Sequence, residues 1–157
     1  MILDEKGGNK MAKILVTYVS MSGNTEEIAN LVKDNLTESQ HEVALEDLTL
    51  METADLTNYD CIVIGSYTWG DGELPDEALD FYEDLDGIDL SGKKVAVFGS
   101  GDTSYSEFCE VVSTLEAKFK ERGAELVAEG LKIEFTPDTN EDLESCKTFT
   151  KSILNAL

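Results

Sequence analysis

Residues 13–36 read KILVTYVSMSGNTEEIANLVKDNL, three patterns in succession. Lys13 to Val19 is an unbroken β-branched and apolar run, which predicts a strand covered on both faces, the habit of a central parallel strand. Ser20 to Thr25 is a polar loop holding one glycine. From Thr25 to Leu36 the residues Ile28, Leu31, Val32 and Leu36 recur at helical spacing, with Glu26 and Glu27 where the helix dipole favours negative charge. A buried strand turned directly into an amphipathic helix is the opening unit of an α/β sheet.

Outward from this unit the pattern repeats. Val43 to Leu48 is a weaker, alternating strand, followed by a polar connection and by Tyr59 to Ser66 (YDCIVIGS), a second buried run expected to stop at Gly65. After the turn YTWGDGE comes a helical stripe of Ala78, Leu79, Phe81, Tyr82 and Leu85, then a fourth strand, Lys94 to Gly99. Phe108, Val111, Val112, Leu115 and Phe119 mark a helix that should end at the glycine stop Gly123. Glu125 to Ile133 reads as a fifth strand, and Leu143, Cys146, Phe149 and Ile153 as a last helix. Strand and helix alternate five times, with one weak crossover after the second strand, which predicts a doubly wound α/β sandwich.

The totals agree with one domain. A chain of 157 residues buries most of its apolar surface around a single core, and 41% hydrophobic with 29% charged residues is globular composition. No apolar run approaches the roughly 18 residues of a membrane span, so a soluble protein is expected. Cys61, Cys109 and Cys146 are odd in number and widely spaced, which suggests neither a disulfide framework nor a zinc site and fits a reducing cytoplasm. Residues 1–10 are polar, lack the apolar segment of a signal peptide and precede a second plausible start at Met11; they read as a disordered extension without function, leaving 11–157 as the domain.

Twelve Lys plus Arg against 33 Asp plus Glu give a formal net charge of −21, which repels nucleic acid and anionic membranes. Between Lys33 and Lys93 there is no Lys or Arg, while the acids continue through Asp34, Glu38, Glu42, Glu46, Asp47 and on from Glu52 to Asp89. One region of the surface is therefore expected to be almost purely negative. Two readings of it stand: a solvated face, or a docking surface for basic partners.

In a doubly wound sheet, ligands bind at the carboxyl ends of the strands beside the reversal of strand order. Three loops leave such ends: Ser20 to Thr25, Tyr67 to Glu73 and Ser100 to Ser106. The first, Ser20-Met21-Ser22-Gly23-Asn24-Thr25, offers backbone N–H groups at a helix start together with several neutral donors, which predicts phosphate binding. Simple capping by Ser22 or Thr25 is the competing explanation, but four donor side chains exceed what a cap needs. Neither a nucleoside-triphosphatase loop nor a dinucleotide fingerprint is present. Trp69 beside Gly70, and Tyr105 after Gly101-Asp102, put an aromatic on each of two adjacent loops, an arrangement that could sandwich a flat ring. A planar cofactor carrying a monophosphate follows.

The loop SMSGNT, then TWGDGE, then GSGDTSY followed by Cys109, in this order and at these strand ends, resemble a flavodoxin of the short-chain branch, over essentially the whole of residues 11–157. The resemblance implies a three-layer sandwich around a five-stranded parallel sheet of order 2-1-3-4-5, and non-covalently bound FMN. It implies that Ser20, Met21, Ser22, Gly23, Asn24 and Thr25 surround the FMN phosphate, with Thr68 reaching towards the phosphate and ribityl chain beside Tyr67. Trp69 matches the aromatic on the inner face of the isoalloxazine ring and Tyr105 that on its outer face. Gly70-Asp71 match the peptide that turns towards flavin N5 on reduction, while Asp102 in the run Gly99-Ser100-Gly101-Asp102 sits near the pyrimidine edge and Cys109 near the ring's polar end.

Function follows as an expectation. Adding electrons to a flavin that already faces a phosphate and many acids is opposed by electrostatics, so the resemblance implies a low-potential one-electron carrier rather than an enzyme. A Gly70 carbonyl turned to a protonated N5 would favour the one-electron state, and glycine makes either orientation sterically cheap. The implied partners are an NAD(P)H-dependent flavodoxin/ferredoxin reductase and electron acceptors with basic docking faces, met by a monomeric, cytoplasmic carrier. No residue looks like a general base or nucleophile, and the single His41 reads as a surface residue. An FMN-dependent quinone reductase would need extra loops for a substrate pocket. A phosphoacceptor receiver domain would need acids that Val19-Ser20 and Ser66-Tyr67 do not supply. Gly72 has no reading beyond turn geometry.

Overall fold

A computed structural model describes residues 11–21, 23–68, 72–103 and 109–157. The expected extension at 1–10, together with Ser22, Trp69, Gly70, Asp71 and Tyr105, lies outside the described residues. The elements follow in the order β1 (Lys13–Val19), α1 (Asn24–Thr37), β2 (Glu42–Asp47), β3 (Cys61–Tyr67), α2 (Asp76–Asp84), β4 (Lys94–Gly101), α3 (Glu110–Glu121), β5 (Glu125–Leu126), β6 (Leu131–Glu134) and α4 (Asn140–Asn155). All pairings are parallel, and the spatial order β2-β1-β3-β4-β5 is the predicted one.

Continuous apolar strands are explained by cover on both sides. Leu15, Ile62, Ile64, Val95 and Val97 face Ala78, Phe81, Val111, Val112, Leu115 and Phe119 of α2 and α3. Ile14, Val16, Cys61, Val63, Ala96 and Phe98 face Ile28, Val32, Cys146, Phe149 and Ile153 of α1 and α4. Alternate residues of each strand thus enter opposite cores, as the two-residue period of a strand requires. Among the described residues, no helix is long and apolar enough to cross a membrane.

Several expectations are corrected. The fifth strand is not continuous from Glu125 to Ile133: β5 pairs with Lys94 and Val95, β6 pairs with Phe98 to Gly101, and the ladder lapses between them. Gly130, just before β6, passes close under α3, where a Cβ would stand 2.5 Å from Val112 Cγ1. β3 does not stop at Gly65 but runs to Tyr67, because Gly65 makes room for a ring: a Cβ there would fall 2.0 Å from Phe98 Cε2. That ring meets Phe149 edge-on, with centroids 6.3 Å apart.

In α2 the buried line is Ala78 and Phe81, continued by Leu85, while Leu79 is 40% exposed and leaves the expected stripe. Tyr82 keeps cover from Lys118, whose Nζ stands 4.6 Å over its ring. β2 spans Glu42–Asp47, a residue earlier than expected, and the polar connection after it folds into the 3-10 turns Leu48–Leu50 and Thr53–Asn58. His41 is half-buried rather than on the surface: its Nδ1 accepts the Ala12 N–H at 2.9 Å. Gly123, at φ 97, provides the predicted helix stop.

Candidate functional site

Strand register decides which loops meet. Val19 of β1 pairs with Ser66 of β3, Ser66 with Gly99 of β4, and Gly99 with Lys132 of β6, so four strands end side by side. One step further, Thr68 N–H donates to the Ser100 carbonyl at 3.2 Å and Phe135 N–H to the Gly101 carbonyl at 2.9 Å. The three predicted loops therefore emerge from one edge, next to the reversal between β1 and β3, joined by a fourth segment that sequence reasoning did not include.

Between them lies a cavity of about 140 Å³ lined by Met21, Asn24, Tyr67, Thr68, Ser100, Gly101, Asp102 and Phe135. Six of the predicted residues with defined side chains border it; the glycine Gly101 completes the predicted set there. Ligand sites for molecules of moderate size run to about 300–1,000 Å³, so this cavity can hold only part of such a group. A larger groove of about 720 Å³ follows the outer sheet edge, but Glu116, Glu129, Glu141 and Glu144 line it against one cation, Lys132, which suits no anionic ligand.

The first loop is shaped for an anion. Gly23 caps α1 in a left-handed conformation, φ 92, that glycine adopts at no steric cost, and no side chain caps the helix from that position. Ser20 Oγ accepts N–H bonds from Gly23 at 3.1 Å and Glu26 at 3.4 Å, so Ser20 braces the turn and its own hydroxyl proton remains for a further acceptor. Of the two expected capping residues, Ser22 lies outside the described residues, and Thr25 leaves the accepting role to Ser20. Thr25 is instead sealed beneath the loop, its Oγ1 2.7 Å from Ser100 Oγ with both residues buried. Met21 is exposed over the cavity rim.

Thr68 carries the clearest sign of a missing partner. Its Oγ1 is buried yet has no hydrogen-bond partner among the described residues, although buried hydroxyls are nearly always bonded. Beside it, the Tyr67 hydroxyl donates to Glu77 at 2.9 and 3.2 Å, and burial followed by that carboxylate pushes its pKa up to about 12. Among the described residues, no Lys or Arg lines the cavity. An anion there would be held by N–H and O–H donors alone.

Two predicted residues are placed for packing. Gly99 lies under α3, where a Cβ would meet Val112 Cγ2 at 2.7 Å. Cys109 is fully buried at the start of α3, its Sγ 3.9 Å from the Ile133 carbonyl, and burial pushes its thiol pKa up to about 11, which keeps it protonated and unreactive. Gly72 has φ 98, a left-handed conformation in keeping with its reading as a turn residue. Phe135 and Glu134 were missed. Glu134 accepts from the Thr103 N–H at 3.0 Å and also from its hydroxyl, tying the loop after β4 to the end of β6. The signal available was an aromatic beyond the last strand in the polar run EFTPDT.

Around this site α2 presents Asp76, Glu77, Asp80, Glu83 and Asp84 to solvent, immediately after the Trp69 loop. Among the described residues no group of His, Cys, Asp and Glu is arranged to hold a metal.

A neutral donor set, a left-handed glycine at a helix start and an orphaned hydroxyl fit a phosphorylated planar cofactor. The family model described as Flavodoxin matches residues 16–149. "Probable flavodoxin 1" of Bacillus subtilis (strain 168) is 50% identical over 144 residues, 92% of this chain and 91% of that one. The crystal structure of oxidised Flavodoxin 2 from Bacillus cereus superposes with a TM-score of 0.91 at 57% identity, covering 93% of this chain and 100% of that one. A Fusobacterium nucleatum flavodoxin bound to flavin mononucleotide shares the fold at a TM-score of 0.83 and 16% identity, over 94% of this chain and 99% of that one. Flavodoxins are themselves a standard example of ligand binding at the strand-order switch point. Sequence, fold and site geometry lead to one conclusion: the chain belongs to the flavodoxin family, the electron-transfer flavoproteins whose cofactor is FMN.

Proposed function

We propose that this chain is a low-potential one-electron carrier that holds FMN across the ends of β1, β3 and β4. The observation that carries the reading is the buried Thr68 hydroxyl, without a hydrogen-bond partner among the described residues, on a residue that lines a cavity at the start of α1 with no Lys or Arg among its described lining. Bound there, FMN supplies reversible redox chemistry at its ring. The chain's own residues do the rest. Backbone N–H groups around Gly23 to Thr25, with Ser20, Ser22 and Asn24, receive the phosphate, and Thr68 completes its hydrogen bonds towards the same arm. Trp69 and Tyr105 cover the ring's two faces and exclude water, Gly70-Asp71 present a backbone group that can turn, and Asp102 lies near the polar edge.

The low potential rests on charge. A phosphate without a cationic partner and the acids of α2 raise the cost of adding negative charge nearby. Those same acids form the docking face for a reductase and for acceptors with basic surfaces, and the thiol of Cys109, held protonated, takes no part in redox exchange. A monomer working in the cytoplasm fits a carrier that must meet several partners in turn.

Purification tests the reading directly. The protein should be yellow with one FMN per chain, and partial reduction by dithionite should give a blue, long-wavelength absorbing form. A colourless protein that takes up no added FMN would end the proposal.

A further inference from the structure

Resting on the reading that FMN phosphate occupies the first loop, we infer that Phe135 is a positioning residue that closes that phosphate site against water. Phe135 has φ 58, in the left-handed region where a bulky residue is rarely found, and its side chain is 51% exposed. Both features are unfavourable in a plain surface turn, where glycine or asparagine would serve better. The conformation is enforced on either side: Phe135 N–H is bonded to the Gly101 carbonyl, and the preceding Glu134 holds Thr103.

The result is an aromatic ring on the wall of the cavity that Asn24 and Thr68 also line, with the exposed Met21 on the same rim. An apolar wall cannot solvate a phosphate, but it keeps water from the donors that do. Hydrogen bonds to an anion strengthen when the local dielectric falls, and here they have no lysine or arginine to support them. Exclusion of water therefore matters more at this loop than at one with a cation.

Titration of the apoprotein with FMN and with riboflavin, which lacks the phosphate, tests the role, with unfolding of the apoprotein in urea as a second readout. Phe135→Gly should weaken FMN binding about tenfold, change riboflavin affinity by less than about twofold, and leave the apoprotein at least as stable as the wild type, since glycine accepts the left-handed backbone. Phe135→Leu, which keeps an apolar cover, should stay within about threefold of wild-type FMN affinity. Unchanged FMN affinity in the glycine variant, an equal loss for both flavins, or a leucine variant as weak as the glycine one would overturn the inference. So would a destabilised glycine variant, which would make Phe135 a packing residue. A wild-type chain that binds neither flavin removes the cofactor reading itself, whereas normal wild-type binding with an unaltered glycine variant removes this inference alone.

Discussion

Thr25 Oγ1 and Ser100 Oγ, 75 positions apart in the chain, lie 2.7 Å from one another in the buried floor beneath the loop cluster. This pair joins the first turn of α1 to the end of β4, and so fixes the distance between two of the loops that form the site. Removing one partner strands the other hydroxyl in the core, which costs about 1–3 kcal/mol. Thr25→Val and Ser100→Ala should each destabilise by that amount, and the double variant should lose less than their sum, by about 1 kcal/mol. Urea unfolding of the four proteins measures the coupling; strict additivity would show that the contact contributes nothing.

Thr68 should behave in the opposite way. Its hydroxyl lacks a partner among the described residues, so Thr68→Val removes a buried unsatisfied group and should stabilise the apoprotein by about 1 kcal/mol. The same change should weaken FMN binding several-fold. Titration and urea unfolding together check the exchange, and a variant with lower apoprotein stability would mean that the hydroxyl is satisfied after all.

Gly65 tests the packing of the sheet. Gly65→Ala drives a methyl group into the Phe98 ring, which cannot withdraw because it packs on Phe149. A loss of about 3 kcal/mol is expected, with partial rescue by Phe98→Leu. A shift of the denaturant midpoint at unchanged slope is the signature, and a tolerated alanine would refute the close approach.

His41 predicts the pH response. Burial lowers its pKa below the ordinary 6.5, and protonating Nδ1 would also break its bond from Ala12 N–H. A histidine with a lowered folded-state pKa stabilises the fold above 6.5 and withdraws that support as pH falls through the lowered value. As the chain has one histidine, its proton NMR titration is unambiguous: the midpoint should lie below 6.5, and stability should decline over the same range. A midpoint at or above 6.5 would contradict the buried placement.

The acidic face of α2 should govern encounter with partners. Reduction by a basic flavodoxin reductase should slow steeply between low and physiological salt, as screening shortens to about 8 Å. Asp76→Asn with Asp80→Asn should lower the rate at low salt and flatten the salt dependence. Stopped-flow rates that ignore ionic strength would show that docking uses another surface.

Much of this was legible in residues 13–36. A short run dominated by apolar and β-branched residues, without polar alternation, reads as a strand covered on both sides, and repetition of that unit pointed to parallel strands and to the edge at which loops would gather. Local patterns were less informative where one residue answers to a distant one. Gly65 looked like a strand end because its need comes from Phe98, and the glycine at 130 answers to Val112 of α3, which lies against it. Leu79 fell outside the buried line of α2 because helix rotation is set by the face that meets the sheet, not by the number of apolar residues available.

At the site the division is the same. The amino-acid sequence by itself determined the donors, the glycines and the absence of any Lys or Arg between Lys33 and Lys93, since these are matters of composition and local conformation. Only the tertiary structure decided that Ser20 braces the loop, that Thr25 turns inward to Ser100, that Thr68 is left wanting a partner and that Phe135 joins the wall. Apart from the local bonds of Ser20, those outcomes depend on register between strands far apart in the chain, and register is set by the packing of two cores rather than by any residue's own preference.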